Sequence, residues 1–502
     1  MPRPRPALVF ERLWQDSGCR DTLAAALAPR RFRFDVERAV FATVLHRLFS
    51  PGSDRSASKW LADQAVDGAA DLRLQHLYRA MAWLGEELPR PESEDDSGSG
   101  AAAAKHGKGS PPTTRCVKDR LEEHLFWRRR NLFSGLDLVF FDTTSHDLHG
   151  AGGSQLGRRG KSKDFRPQRP QLVVGLALSG DGRPLCTEIW PGNTADVTTL
   201  LPVGKRLRER FELASTCLVA DRGMISRATM DALERRGWGY ILGCRIRNTK
   251  ECRETVLQDQ GEETLLELER KGRREPLRLH IREVTVRDGE GGSERRYVVC
   301  RNGEQARRDK AVREVIVTKL REQLRTGGGR KLVGNRGYRR YLQAPAGSLQ
   351  IDEAKIADEE RYDGVWMLRV QGPFTAEEAA RKYKQLWRVE RCFRDSKSLL
   401  RTRPVFHRTD AGMRGHVFCS FLALLLKTEL EKRLQAAGIH AEWQDVVGDL
   451  LRLRESVVEA QGKRFVVRTR AVGHVADIVR CVGARLPPTV RLEQDPGARQ
   501  GD

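Results

Sequence analysis

YKQLWRVERCFRDSK, residues 383–397, sets Tyr383, Glu390 and Lys397 at intervals of seven residues. Seven residues is about two helical turns, so the spacing predicts one helix with all three side chains along one face. That face pairs a carboxylate with a cation and an aromatic ring. Upstream, two aspartates close apolar runs: Asp142 in LVFFDTTS and Asp221 in CLVADRGM. Two strand-borne carboxylates plus one on a helix form the oxygen-rich set that two-metal phosphoryl transfer requires. Such hard ligands suit Mg²⁺ or Mn²⁺, two ions, rather than zinc.

The apolar runs support this placement. Leu138-Val139-Phe140-Phe141 reads as a strand buried on both faces, and Cys217 to Ala220 as another. A carboxylate at the end of such a run is costly to bury unless it is paired or metal-bound. Asp147 and Asp196 are nearby alternatives, but neither follows an apolar strand.

The chain has 502 residues and a net charge of +22, from 90 Lys and Arg against 68 Asp and Glu. This balance points to a polyanionic partner, with nucleic acid the natural phosphate, and to salt-sensitive binding. Ten cysteines stand singly with no Cys-x-x-Cys pair, so zinc-ligand spacing is absent and reduced thiols in a cytoplasmic protein are expected. The N-terminus has no apolar signal core. The most apolar helical run, Val417 to Leu426, is too short for a membrane span, so a soluble protein is expected.

The expected class is α/β, with six segments. Residues 1–88 read as an N-terminal helical, DNA-end-binding region, and 89–113 as a low-complexity linker. Within 114–246, a helix over roughly 114–133 is followed from 136 by strand, hairpin around Ser179-Gly180-Asp181-Gly182, helix, strand, helix, strand. That is the order of a ribonuclease-H-like core. Ser226 is the expected N-cap of the last of these helices and Gly237 its stop. Residues 247–370 read as a β-rich insertion, and 371–436 as the rest of the core, opened by a Thr375/Glu378 capping box. Residues 437–502 form a helical region and tail.

These residues resemble the DDE transposases of bacterial insertion sequences, in the insertion-sequence-four superfamily. The family signature Tyr-x2-Arg-x3-Glu-x6-Lys is matched at Tyr383, Glu390 and Lys397, with Leu386 at the arginine position. Arg388 lies about 200° around a helix from Leu386 and is no obvious substitute. FDTTS, GNTAD, ADRGM and RPVFHRTDAGMRGHVFCSFLALLL are also similar, so the likeness spans roughly 136–435. The resemblance implies an Asp142-Asp221-Glu390 triad, Mg²⁺-dependent cutting and joining of element ends, and double-stranded DNA as partner. It also implies a homodimer in the synaptic complex and a bacterial cytoplasm, with the nucleoid as workplace. Tyr383 and Lys397 inherit contacts to DNA phosphates near the cleaved end.

Further DNA contacts are expected from Arg394, from Lys161 and Lys163 in the loop GKSKDFR, and from Arg330, Lys331, Arg339 and Arg340. The last four fall in a segment, 307–340, where basic residues outnumber acidic ones and Tyr338 and Tyr341 interleave, as single-strand binding grooves do. Trp387 is expected in the core beside Leu386, with base stacking as the alternative. His407 and His416 are expected to be structural. A catalytically silent DNA-binding relative and a nuclease without strand transfer are the competing functions.

Overall fold

The computed structural model describes residues 3–89, 114–130, 138–150, 152–213, 216–270, 275–287, 294–326, 336–343 and 349–492. It is mixed α/β and divides into two compact units, 1–214 with 387–502 and 215–386. Residues 90–113 of the expected linker, with Arg330 and Lys331, lie outside the described residues.

In the first unit, strands Leu138–Asp147, Gln171–Ser179 and Pro184–Pro191 form an antiparallel meander. The middle strand is buried along its whole length, because LVVGLAL carries apolar residues at every position rather than alternating. Gly182, at φ +86°, closes the turn that follows, as the Ser-Gly-Asp-Gly sequence predicts. Helix Trp387–Arg394 packs on the first two strands, while helices Val117–Arg129 and Asp410–Ala436 pack on the third. Asp410–Ala436 is buried from Gly412 to Lys427, and a helix apolar on all sides belongs in a core. Five helices lie between Ala7 and Leu84; of these, Ala7–Asp16, Val36–Phe49 and Leu74–Leu84 pack against it.

The second unit carries a mixed sheet. Cys217–Ala220 runs parallel to Tyr240–Gly243, and an antiparallel series continues through Val365–Gln371, Glu294–Arg301, Leu277–Arg287 and Thr264–Leu268. Ser226 accepts from the Thr229 N–H to start helix Arg227–Arg235, and Gly237 at φ +62° follows its end. A helix, Gly303–Arg325, fills the first half of the basic segment.

Among the described residues no helix is long and apolar enough to cross a membrane. None of the ten cysteines is in a disulfide, and eight are buried.

Candidate active site

Asp142 sits in the middle of its strand rather than at the end, because pairing continues through Asp147. The polar run Thr143-Thr144-Ser145 remains extended because the Thr143 and Ser145 hydroxyls find partners. Thr143 Oγ1 donates to Asp196 Oδ1 at 2.7 Å, and Ser145 Oγ accepts from the Lys163 N–H at 3.0 Å. The Thr143 N–H donates to Asp142 Oδ1 at 2.7 Å. Phe140 and Phe141 next door are fully buried, each stabilising the strand by roughly 1.5–3 kcal/mol.

Asp221 follows its strand directly, as the apolar run predicts, and heads a turn at Arg222–Met224. Arg245 holds that turn by donating to the carbonyls of Arg222 and Gly223 at 3.0 and 2.9 Å. The Tyr383 hydroxyl donates to Asp221 Oδ1 at 3.0 Å. Its ring stacks on Trp366 with centroids 5.5 Å apart. Burial, and after it the Asp221 carboxylate, pushes the phenol well above its ordinary value, so Tyr383 stays a donor. Gly243 makes room for it: a Cβ there would lie 2.4 Å from the hydroxyl oxygen.

The single helix expected over Tyr383, Glu390 and Lys397 is broken. Tyr383 belongs to Ala376–Lys384, whose capping box joins Thr375 and Glu378 reciprocally at 2.9 and 3.1 Å. Glu390 belongs to Trp387–Arg394, and Lys397 to a wider π turn over Asp395–Leu399. The break falls at Gln385 and Leu386. Leu386 is 6 % exposed, an apolar site in this chain where an arginine would have to bury its charge. Trp387, by contrast, is 52 % exposed, correcting the expected core position. Glu390 and Arg394 are both exposed and have no ion-pair partner among the described residues. Arg388 donates to the Gly180 carbonyl at 2.9 Å, tying its helix to the hairpin turn.

Lys397 is not an open cation. Its ammonium donates to both oxygens of Asp164 at 3.0 Å, and Arg403 pairs with the same carboxylate. Burial opposes the Asp164 charge, but Lys397 and Arg403 outweigh it and hold its carboxyl below the usual range. Burial likewise pulls Lys397 below the ordinary lysine value. Lys163, expected to face DNA, instead braces the Asp142 strand: its ammonium meets the Thr143 carbonyl at 2.6 Å and Asp196 at 3.1 Å. Lys161 is exposed. In the other unit Arg339 is exposed, while Arg340 pairs with Glu359 at 3.2 Å. Tyr341 is 4 % exposed and packs with Leu320 in a small core, which removes it as a stacking surface.

Asp164, Arg403 and Asp410 escape sequence reasoning. Asp410 accepts from the N–H groups of Ser154, Gln155 and Leu156 at 3.2, 3.0 and 2.9 Å, fixing the glycine-rich loop to the start of the buried helix. The signal was present: Asp410 follows the N-cap Thr409, where a carboxylate meets the helix dipole.

A buried Asp54, His407 and His416 cluster has metal-ligand composition. Its hydrogen bonds do not fit an ion. Arg47, which can only donate, meets His416 Nδ1 at 2.9 Å, so the proton sits on Nε2, which donates to the Thr402 carbonyl at 2.8 Å. Both ring nitrogens are thus engaged, beside a buried guanidinium. Asp54 pairs with His407 at 3.0 Å, consistent with a structural role for both histidines.

Residues 134–426, more than half of the chain, match the family model of the transposase DDE domain. No curated protein matches the chain.

Proposed function

We propose, from the premise that the chain belongs to the transposase DDE domain family, that it cleaves the ends of an insertion sequence and joins them to target DNA. The observation that carries this reading is the setting of its acids. Asp142 lies within a buried strand, Asp221 directly follows another, and Glu390 is an exposed carboxylate, all inside the matched segment. The family implies a divalent metal, and three hard oxygen donors fit one; Asp142, Asp221 and Glu390 would hold it. When bound, two Mg²⁺ or Mn²⁺ ions would supply Lewis acidity at the attacking and leaving oxygens. The Tyr383 hydroxyl orients Asp221, Lys163 braces the strand beside Asp142, Arg394 offers an exposed cation to phosphate, and Lys397 would exchange Asp164 for one. In this reading the core is ribonuclease-H-like, and two copies act together on paired ends. Mixing the protein with DNA carrying the element ends, in Mg²⁺, tests it: cut ends joined to a second duplex are expected. Cutting without joining would favour a nuclease.

Two further outcomes follow from this reading. Lys397→Ala is expected to weaken binding to the cleaved end and to lower the salt slope by about one. An unchanged slope in a salt titration would make Lys397 solely the partner of Asp164. Gly243→Ala is expected to force the Tyr383 hydroxyl off Asp221 and slow cleavage by at least about tenfold, the effect of a small misplacement at a reacting centre. Adding Tyr383→Phe, which removes the clashing oxygen, should restore part of the rate. A double variant slower than the single one would show that the hydroxyl is not what the new methyl strikes.

A further inference from the structure

Phe165 is 95 % exposed, the most exposed large hydrophobic side chain among the described residues. Its backbone is at φ +56°, a left-handed conformation that bulky side chains rarely adopt. Residues in such conformations persist only where their surroundings over-determine them, and they concentrate at functional sites.

Here the surroundings are explicit. On the preceding side, Asp164 is gripped by Lys397 and Arg403. Lys163 is bound through its N–H to Ser145 and through its ammonium to Thr143 and Asp196. On the following side, the Arg166 N–H donates to Ser162 Oγ at 3.1 Å, and the Arg166 guanidinium pairs with buried Asp147 at 3.1 Å. Gly160 lies so close to Gly192 that a Cβ would meet its carbonyl oxygen at 2.1 Å, so the base of the loop is seated too. A chain fixed on both sides to the Asp142 strand and to the signature segment presents its ring outward, where the ring contributes nothing to the core. Exposed Lys161, Arg166 and Arg169 surround it in sequence.

We propose that Phe165 is a stacking wedge for an unpaired nucleobase of the DNA bound beside Asp142 and Lys397. The inference rests on the transposase reading. The ring supplies a rigid π-face, the neighbouring cations suit the flanking phosphates, and the pinned backbone avoids an ordering cost on binding. A nucleobase fits better than a protein surface because the exposed residues flanking the ring in sequence, Lys161, Lys163, Arg166 and Arg169, are cationic.

The test uses the full chain and two duplexes of one sequence, one blunt and one with a short single-stranded 3′ tail whose first unpaired base is 2-aminopurine. Wild type should bind the tailed duplex more tightly and quench the 2-aminopurine. Phe165→Asn, which keeps the left-handed backbone accessible, should weaken tailed binding roughly 5- to 150-fold, the effect of losing one base–aromatic stack, and leave blunt binding unchanged. Phe165→Trp should restore binding and quenching. Equal binding and quenching by wild type and Phe165→Asn overturn the wedge, and so does a wild type that does not distinguish the two duplexes; either leaves the transposase reading intact. If Phe165→Asn changes the oligomeric state in light scattering while DNA binding stays the same, the ring joins copies of the chain and the wedge is wrong. A wild type that binds neither duplex removes the transposase reading and the wedge together.

Discussion

Removing the carboxylate at Asp142, Asp221 or Glu390 is expected to abolish end cleavage while DNA binding persists. Losing one oxyanion-stabilising donor already costs ~10²–10³ in rate. Loss of a metal ligand should exceed that, because both the activation of the attacking oxygen and the stabilisation of the leaving one depend on it. The substitutions differ in their structural cost. Glu390 is exposed, so alanine there disturbs nothing packed. Asp221 accepts from Tyr383, and alanine would strand a partly buried hydroxyl, at up to about 1–3 kcal/mol. Asparagine keeps an acceptor for Tyr383 and removes only the charge. Asp221→Asn is therefore the sharper variant, measured by cleavage in Mg²⁺ alongside DNA affinity and circular dichroism. Cleavage by Asp221→Asn at a rate comparable to wild type would end the triad assignment.

Much of what positions these groups is local and was legible in the sequence. The apolar run Leu138–Phe141, the Ser-Gly-Asp-Gly turn, the Ser226 cap with its Gly237 stop, and the Thr375/Glu378 box each set structure within a few residues. The missing parts are of another kind. Seven-residue spacing over 383–397 predicts one helix, and no glycine or proline marks the break at Gln385 and Leu386. That break is tertiary: Leu386 turns inward and Tyr383 reaches Asp221, far away in sequence. The apolar strand reads as closing at Asp142, yet partners at Lys163 and Asp196 let the polar residues after it stay extended. Lys397 reads as a solvent-facing cation until Asp164, 233 residues upstream, meets it. Spacing identifies residue types suited to a chemistry; it does not reveal which partner, brought in from another element, already holds them.

The fold is expected to lose stability steeply between pH 6.5 and 5. Among the buried histidines, three carry this expectation: His46 at 2 %, His146 at 1 % and His416 at 4 % exposed. Burial first, and neighbouring Arg47 next, pulls His46 down to about 4. Burial first, then Lys397 and Arg403, pulls His146 down to about 3, and neither of its ring nitrogens has a hydrogen-bond partner. Burial and then Arg47 hold His416 well below its ordinary value. In the unfolded chain each imidazole takes a proton near 6.5. Below that pH the unfolded state binds more protons than the folded one, so stability is intact above about 6.5 and falls as pH drops toward the folded values. Each histidine contributes about 1.4 kcal/mol per pH unit, and three give about 4, against a typical total of 5–15 kcal/mol. Glu11 and Glu122, raised by burial, oppose this in part as they take up protons. Most depressed carboxylates, such as Asp164 and Asp410, lose their contribution only at lower pH. Urea unfolding at pH 7.5, 6 and 5 should show the midpoint falling, and the first unfolding transition of His146→Leu should fall by about a third less. Because that substitution also removes two unpartnered buried nitrogens, each costing about 1–3 kcal/mol, it should raise stability at pH 7.5 as well. A midpoint that stays level from pH 7.5 to 5 would mean these imidazoles are charged or solvated in the folded state, and their burial would not be what the packing around helix Asp410–Ala436 and strand Leu138–Asp147 dictates.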